Sequence, residues 1–323
     1  MRKVFEDRRV LVIGGFGFIG VNLSERLRAL GARVTIATRS IDRHRDAAAD
    51  AAARGTHVVE ADLRDRDAMR AAVAGQELVF NLAGQSGAVL SMEDPVTDLD
   101  VNCRGNLVLL EALRAENRSA KLVFVSSRLV YGRVGGMPVT EDREPNPTSV
   151  HALHKLAVER YLHVYGHVHG LAGTIARLTN PYGPGQPNDR TAYGVVNHMI
   201  HRALAGDRIL VYGDGRQQRD YIYIDDAVAA LLRMAELPAS IGRTYNVGSG
   251  VGTRLVDMAR AIASMAGGGR PETIEWPPLA ERIETGDFVA DIGRIHRELS
   301  WEPRVSLEEG LERTVAFYRA HAA

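Results

Sequence analysis

The chain has 323 residues, 45% of them hydrophobic and 25% charged, a make-up that excludes wholesale disorder. Basic and acidic residues balance at 40 each, so no global field marks a nucleic-acid partner. A lone Cys103 excludes an intrachain disulfide or a cysteine metal cluster, and no apolar run is long enough to span a bilayer, so a cytoplasmic location without membrane contact is expected.

Short apolar runs at 10–13, 34–37, 57–59, 78–80 and 122–125 read as strands. Helix-length amphipathic stretches near 18–30, 43–53, 65–73, 97–116 and 148–168 separate or follow them. Runs so continuous and β-branched suit a parallel sheet covered on both faces. Strand–helix alternation implies right-handed crossovers and a doubly wound α/β fold. A further strand near 173–178 extends the sheet, and Asn180-Pro181-Tyr182-Gly183-Pro184-Gly185 then reads as a turn-rich break.

Between the first strand and first helix lies Gly14-Gly15-Phe16-Gly17-Phe18-Ile19-Gly20. Gly14, Gly17 and Gly20 stand where a tight turn, a close approach to pyrophosphate and helix–strand packing need glycine. A dinucleotide, NAD or NADP, is therefore expected on a Rossmann sheet. The expected division is a Rossmann domain over 1–180, to which segments near 221–236 and 244–248 return, and a smaller, mostly substrate-binding domain over 181–323. At the end of the second strand, Thr38, Arg39 and Ser40 replace the carboxylate of an NAD site and suit a 2′-phosphate, which favours NADP; a solvated loop arginine is the bland alternative.

Further along lie Asn81-Leu82-Ala83-Gly84-Gln85, Ser126-Ser127-Arg128-Leu129-Val130-Tyr131-Gly132 and Arg219-Asp220-Tyr221. With the G-x-x-G-x-x-G spacing, these segments resemble the extended short-chain dehydrogenase/reductases of the nucleotide-sugar epimerase and dehydratase type. The resemblance implies that Asp62 and Leu63 sit against adenine, although Asp62 also reads as a simple helix N-cap. It implies that Leu82, Ala83, Gly84, Gln85, Asn102 and Pro181 flank the cofactor. It places Ser86, Ser127, Arg128, Tyr131, Asn180, Arg219 and Arg282 on the nucleotide-sugar substrate, Arg219 at its diphosphate. It also implies a homodimer built from helices near 97–116 and 148–168; Leu107, Leu109, Leu110 and Leu113 suit such a face or the chain's own sheet equally.

The family's catalytic signature is Tyr-x-x-x-Lys, and here the row reads His151-Ala152-Leu153-His154-Lys155. His151 and Lys155, four apart on a helix, share one face. Lysine occurs only at positions 3, 121 and 155, so its presence here argues for a cofactor-ribose contact that arginine would not reproduce. The Lys155 ammonium should keep His151 neutral, fit to accept a sugar proton but poor at returning one; Tyr131, Tyr182 or water are the alternative donors. No acidic partner for His154 and no metal-ligand set is visible. Arg128-Leu129 after Ser127, in place of the Asp-Glu pair of the 4,6-dehydratases, demotes dehydration. Ser127, His151 and Lys155 are thus the expected catalytic residues of an NDP-sugar epimerase. An NADPH-dependent ketosugar reductase and a catalytically silent nucleotide-sugar binder remain open beside it.

Overall fold

Parallel pairing of the apolar runs builds the centre of the structure, a computed structural model that describes residues 2–85, 87–186 and 194–321. The strands in the first half are β1 (Arg9–Ile13), β2 (Arg33–Thr38), β3 (His57–Glu60), β4 (Leu78–Asn81), β5 (Lys121–Ser127) and β6 (Gly173–Leu178). Then come β7 (Asn180–Tyr182), β8 (Arg208–Tyr212), β9 (Gln218–Tyr223), β10 (Thr244–Val247), β11 (Gly252–Arg254) and β12 (Arg270–Ile274). Seven of them form one parallel sheet in the order β10-β6-β5-β4-β1-β2-β3.

Period-two alternation decides which face each side chain joins. Val10 and Val12 of β1 enter a core with Leu23, Leu27 and Leu231, while Leu11 and Ile13 enter another with Met69, Leu109 and Val158. Helices Phe18–Ala29 and Ile224–Glu236 therefore cover one face; Arg66–Val73, Gly105–Glu116 and Val150–His169 cover the other. Leu109, Leu110 and Leu113 are buried against the chain's own sheet.

The strand order reverses between β1 and β4, and register pairs Ile13 with Ala37 and Asn81, and Asn81 with Phe124. The loops after β1, β2, β4 and β5 consequently open on one sheet edge, the place where doubly wound sheets bind ligands.

Three details depart from the sequence reading. Asn180–Tyr182 is an edge strand paired with β9, not only a turn; an edge position tolerates Pro181 because its missing N–H is not needed by a second neighbour. Of the segment near 221–236, Tyr221–Tyr223 belong to this three-stranded sheet of β11, β9 and β7, while Ile224–Glu236 packs on the main sheet. The stretch near 97–116 is not one helix. Pro95–Leu99 runs into a π-helical turn, Asp100–Arg104, and only then into Gly105–Glu116. Among the described residues, no helix is long and apolar enough to cross a membrane.

Candidate functional site

The loop after β1 is shaped by its glycines. Gly14 has φ +80°, a conformation that disfavours a side chain, and its N–H donates to Ala37 O at 2.9 Å. A Cβ on Gly20 would run into the Gly14 carbonyl oxygen and come within 2.6 Å of Gly15 Cα. Helix Phe18–Ala29 can thus press its first turn onto the loop, with Gly17 at its N-cap and the unpaired N–H groups aimed outward. Phe16 is buried and stacks on His44, ring centroids 5.2 Å apart, while Phe18 and Ile19 pack against the core.

At the end of β2, Thr38 is buried and donates to Ser40 O at 3.4 Å, whereas Arg39 is exposed and forms no ion pair among the described residues. Asp62 does not cap the following helix; Asp65 does, accepting from Asp67 and Ala68 N–H. Asp62 instead holds Arg64 at 2.6 Å, and that hydrogen bond keeps its carboxyl below the usual range despite partial burial. Leu63 is buried under Gly105, where a Cβ would meet Leu63 Cγ at 3.0 Å.

A chain of asparagines fixes the segment after β4. Asn81 donates to Asn106 Oδ1 at 2.6 Å and accepts from Ala83 N–H at 3.2 Å. Asn106 donates to Asn102 O at 2.8 Å. Asn102 then clamps Gln85, accepting its N–H at 3.1 Å and donating to its carbonyl at 2.9 Å. Leu82, Ala83, Gly84 and Gln85 are thereby held at the sheet edge. Neither Asn81 nor Asn106 stands out in the sequence as a tether, although Asn106 lies one helical turn beyond Asn102.

His151 and Lys155 project from the first half of helix Val150–His169, which Ser149 caps by accepting Ala152 N–H. The Lys155 ammonium donates to Val125 O at 3.0 Å and lies 4.9 Å from the Phe124 ring centre. Burial pulls it down to about 8, opposed by the charges of Asp98 and Glu159. A Cβ on Gly84 would lie 2.6 Å from Asn102 Oδ1 and 3.5 Å from Lys155 Nζ, so these groups converge.

Contrary to the sequence reading, an acidic partner is present. Asp98 is fully buried, with Oδ1 at 2.6 Å from His154 Nδ1 and Oδ2 at 3.7 Å from His151 Nδ1. Burial pushes the Asp98 carboxyl up, but the two imidazoles and the Asn102 amide outweigh burial and hold it below its ordinary value. Lys155 is therefore not the only charged neighbour of His151: the Asp98 carboxylate faces the same ring. His151 also has Asn102 Nδ2 at 3.4 Å, and its backbone N–H donates to Ser91 Oγ at 2.9 Å.

Tyr131 and Tyr182 are not available as alternative proton donors. Tyr131 is buried, stacks on Phe288 and donates to Asn246 Oδ1 at 2.7 Å; burial raises its hydroxyl to about 12. Tyr182 is equally buried, with its hydroxyl directed to Leu307 O at 3.3 Å, and burial raises it further. Both serve packing, and the expected Tyr131 contact to substrate is not what its position offers.

Ser127 ends β5 at the same edge, half-buried, its Oγ accepting Leu129 N–H at 3.2 Å. Arg128 is buried, donates to Thr285 Oγ1 at 3.0 Å and covers the Phe288 ring. Arg219 pairs with Glu284 and donates to Gly286 O at 2.5 Å. Burial and the neighbouring Arg219 charge both lower Arg128, so two guanidiniums share this corner with the Glu284 carboxylate. Asn180 donates to Asp220 O at 2.7 Å behind them; Arg282 is exposed on a short helix. Ser86 lies outside the described residues.

Residues 10–248 match the family described as NAD dependent epimerase/dehydratase. The chain is 35% identical over 314 residues to a UDP-glucose 4-epimerase from Mycolicibacterium smegmatis, covering 96% of this chain and 98% of that one. It is also similar to the UDP-glucose 4-epimerase of Thermotoga maritima solved with UDP-glucose, with TM-score 0.88, 30% identity and coverage of 97% and 99%. For the Thermus thermophilus UDP-glucose 4-epimerase in complex with NAD the TM-score is 0.85, the identity 34% and the coverage 96% and 99%.

Proposed function

Because this chain belongs to the NAD dependent epimerase/dehydratase family, we propose that it inverts one carbon of a nucleotide sugar through a transient ketosugar. The carrying observation is the convergence of His151, Lys155, Asn102 and Gly84 at the sheet edge beside the glycine loop. The glycine loop fits a pyrophosphate, since a Cβ at Gly20 would collapse it and the helix N-terminus supplies positive potential. Thr38, Arg39, Ser40, Asp62 and Leu63 would hold the adenosine end. Leu82, Ala83, Gly84, Gln85, Asn102 and Pro181 would flank the rest, with Lys155 on a ribose hydroxyl. Lys155 Nζ has three donors and spends one on Val125, which leaves two for that contact.

A bound NAD(P) supplies a reversible hydride acceptor. The chain's own task is proton transfer. His151 takes the hydroxyl proton of the sugar as the carbonyl forms and gives it back as the hydroxyl re-forms. Ser127 would hydrogen-bond the reacting oxygen, and Arg219 and Arg128 would bind the diphosphate, with Glu284 yielding its place on Arg219 to the substrate. The exposed Arg39 favours NADP, and also keeps an NADPH-dependent ketosugar reductase as the second reading.

The deciding experiment denatures the purified protein and identifies released small molecules by mass spectrometry, followed by turnover of UDP- and dTDP-hexoses without added cofactor. Retained NADP and cofactor-free interconversion are expected; retained NAD would overturn the Arg39 reading alone. Stoichiometric NADPH consumption would select the reductase, and binding without any turnover the silent binder.

We also read the chain as a homodimer. Val96, Leu99, Leu153, Val164 and Val168 are exposed apolar residues on helices Pro95–Leu99 and Val150–His169, the kind of stripe that a second copy covers by two-fold symmetry. Sedimentation equilibrium should return twice the 35.3 kDa chain mass, and Val164→Glu combined with Leu153→Glu should halve it. A wild-type protein at chain mass would refute the reading.

A further inference from the structure

Among the described residues, the one ionised group that faces His151 from outside its own helix is buried and incompletely bonded. Asp98 sits on Pro95–Leu99, its exposure is 0%, and Oδ2 forms no hydrogen bond although Oδ1 holds His154. A buried acceptor is costly to leave unpaired, and the nearest ring nitrogen to Oδ2 is His151 Nδ1 at 3.7 Å. The competing neighbour of that nitrogen is Asn102 Nδ2 at 3.4 Å, a neutral amide that gives one N–H to Gln85 O and keeps a second for His151. A carboxylate offers the stronger, charge-assisted bond, so a small ring movement toward Oδ2 is favoured.

We propose that Asp98 is the positioning residue of the reaction: its Oδ2 takes the His151 Nδ1–H and leaves the lone pair of Nε2 as the proton acceptor. This rests on the sugar-redox reading above. In the forward step the sugar O–H bond breaks and its proton joins Nε2, C=O forms, and the carbon's hydride passes to the nicotinamide. The return step reverses each transfer on the other face. Asp98 keeps its charge throughout and balances the imidazolium formed between the two steps. It thereby opposes Lys155, the cation one turn along the same helix, which on its own would make that imidazolium a costly species. The remaining groups around the pair are His154, which shares the carboxylate, the Cys103 thiol and Ser91 Oγ, none of which can replace a fixed negative charge at Nδ1. An imidazole pinned by a buried carboxylate would then do what a phenol does elsewhere in the family, in both directions.

The test reads the tautomer of His151 directly, by long-range proton–nitrogen NMR of protein labelled with nitrogen-15 histidine. The His151 signal is assigned by its loss in His151→Gln. We expect the Nδ1–H tautomer in the wild type, and the Nε2–H tautomer in Asp98→Leu, where only the Asn102 amide donor faces Nδ1. Asp98→Asn, which leaves one acceptor oxygen for two imidazoles, should mix the tautomers and serves if the leucine variant does not fold. An Nε2–H His151 in the wild type, or an unchanged tautomer in either variant, overturns the proposal. In turnover, kcat should fall about a hundredfold or more in Asp98→Leu with KM changed by less than about threefold. A wild type that turns over no nucleotide sugar would sink the functional reading and leave the tautomer result to stand by itself.

Discussion

Replacing His151 with alanine is expected to lower kcat for sugar interconversion by about 10²–10⁴-fold, the usual contribution of a positioned acid–base group. The bound nucleotide should stay. The glycine loop, the Asn102 clamp on Gln85 and the Lys155 ammonium are all formed by other residues. Burial of the His151 ring makes a small stability loss unavoidable, so turnover must be compared at a temperature where thermal scans show both proteins folded. Released nucleotide per chain, measured beside kcat, separates lost chemistry from lost binding. An alanine variant as active as the wild type would show that the imidazole is helix packing. His151→Tyr sharpens the comparison. In a silent binder, restoring the family signature can only create activity. In an enzyme adapted to imidazole, the longer phenol displaces the ring from Asn102 and Asp98, and the native rate should drop.

The second large effect concerns the anchor of the same helix. Glu159→Ala is expected to destabilise the fold by about 3–5 kcal/mol, because it strands a buried guanidinium. Glu159 lies two turns beyond His151 and receives Arg177 Nη2 at 2.6 Å and Ser126 Oγ at 2.5 Å. Both partners of the ion pair are almost fully buried, and Glu159 raises Arg177 against the opposing effect of its burial. The Tyr131 ring, 4.7 Å from the guanidinium centre, would be its main remaining partner besides the Glu141 carbonyl. Urea titration should show a midpoint well below that of the wild type, and Glu159→Gln, which keeps one acceptor, should lie between. A Glu159→Ala midpoint within error of the wild type would mean that water or a rearranged side chain satisfies Arg177. The functional consequence comes from topology. This pair ties the helix carrying His151 and Lys155 to β5 and β6, so loosening it should also raise the spread of positions open to both side chains.

The glycine loop, the strand–helix alternation and the His151–Lys155 spacing were legible because each is local. Period-two burial reads directly from Val10 to Ile13, and a four-residue interval on a helix needs no tertiary information. Asp98 was illegible for the opposite reason. It lies more than fifty residues before His151, inside a stretch that reads as one continuous helix, and only the π turn at Asp100–Arg104 sets how Pro95–Leu99 meets Val150–His169. Tyr131 was misplaced for a related reason. The family resemblance of its segment implied the substrate side, but Asn246 of β10, 115 residues along the chain, claims its hydroxyl. The role of Glu284 against Arg219 was hidden in the same way, across 65 residues.

By itself, then, the sequence determined the family, the doubly wound sheet, the glycine loop and the substitution of histidine for tyrosine, all carried by short-range pattern and steric need. Tertiary structure alone decided what that histidine faces. The charge around an imidazole depends on which buried groups lie within a few ångströms of it, and in this chain the decisive one, Asp98, arrives by packing between separate helices.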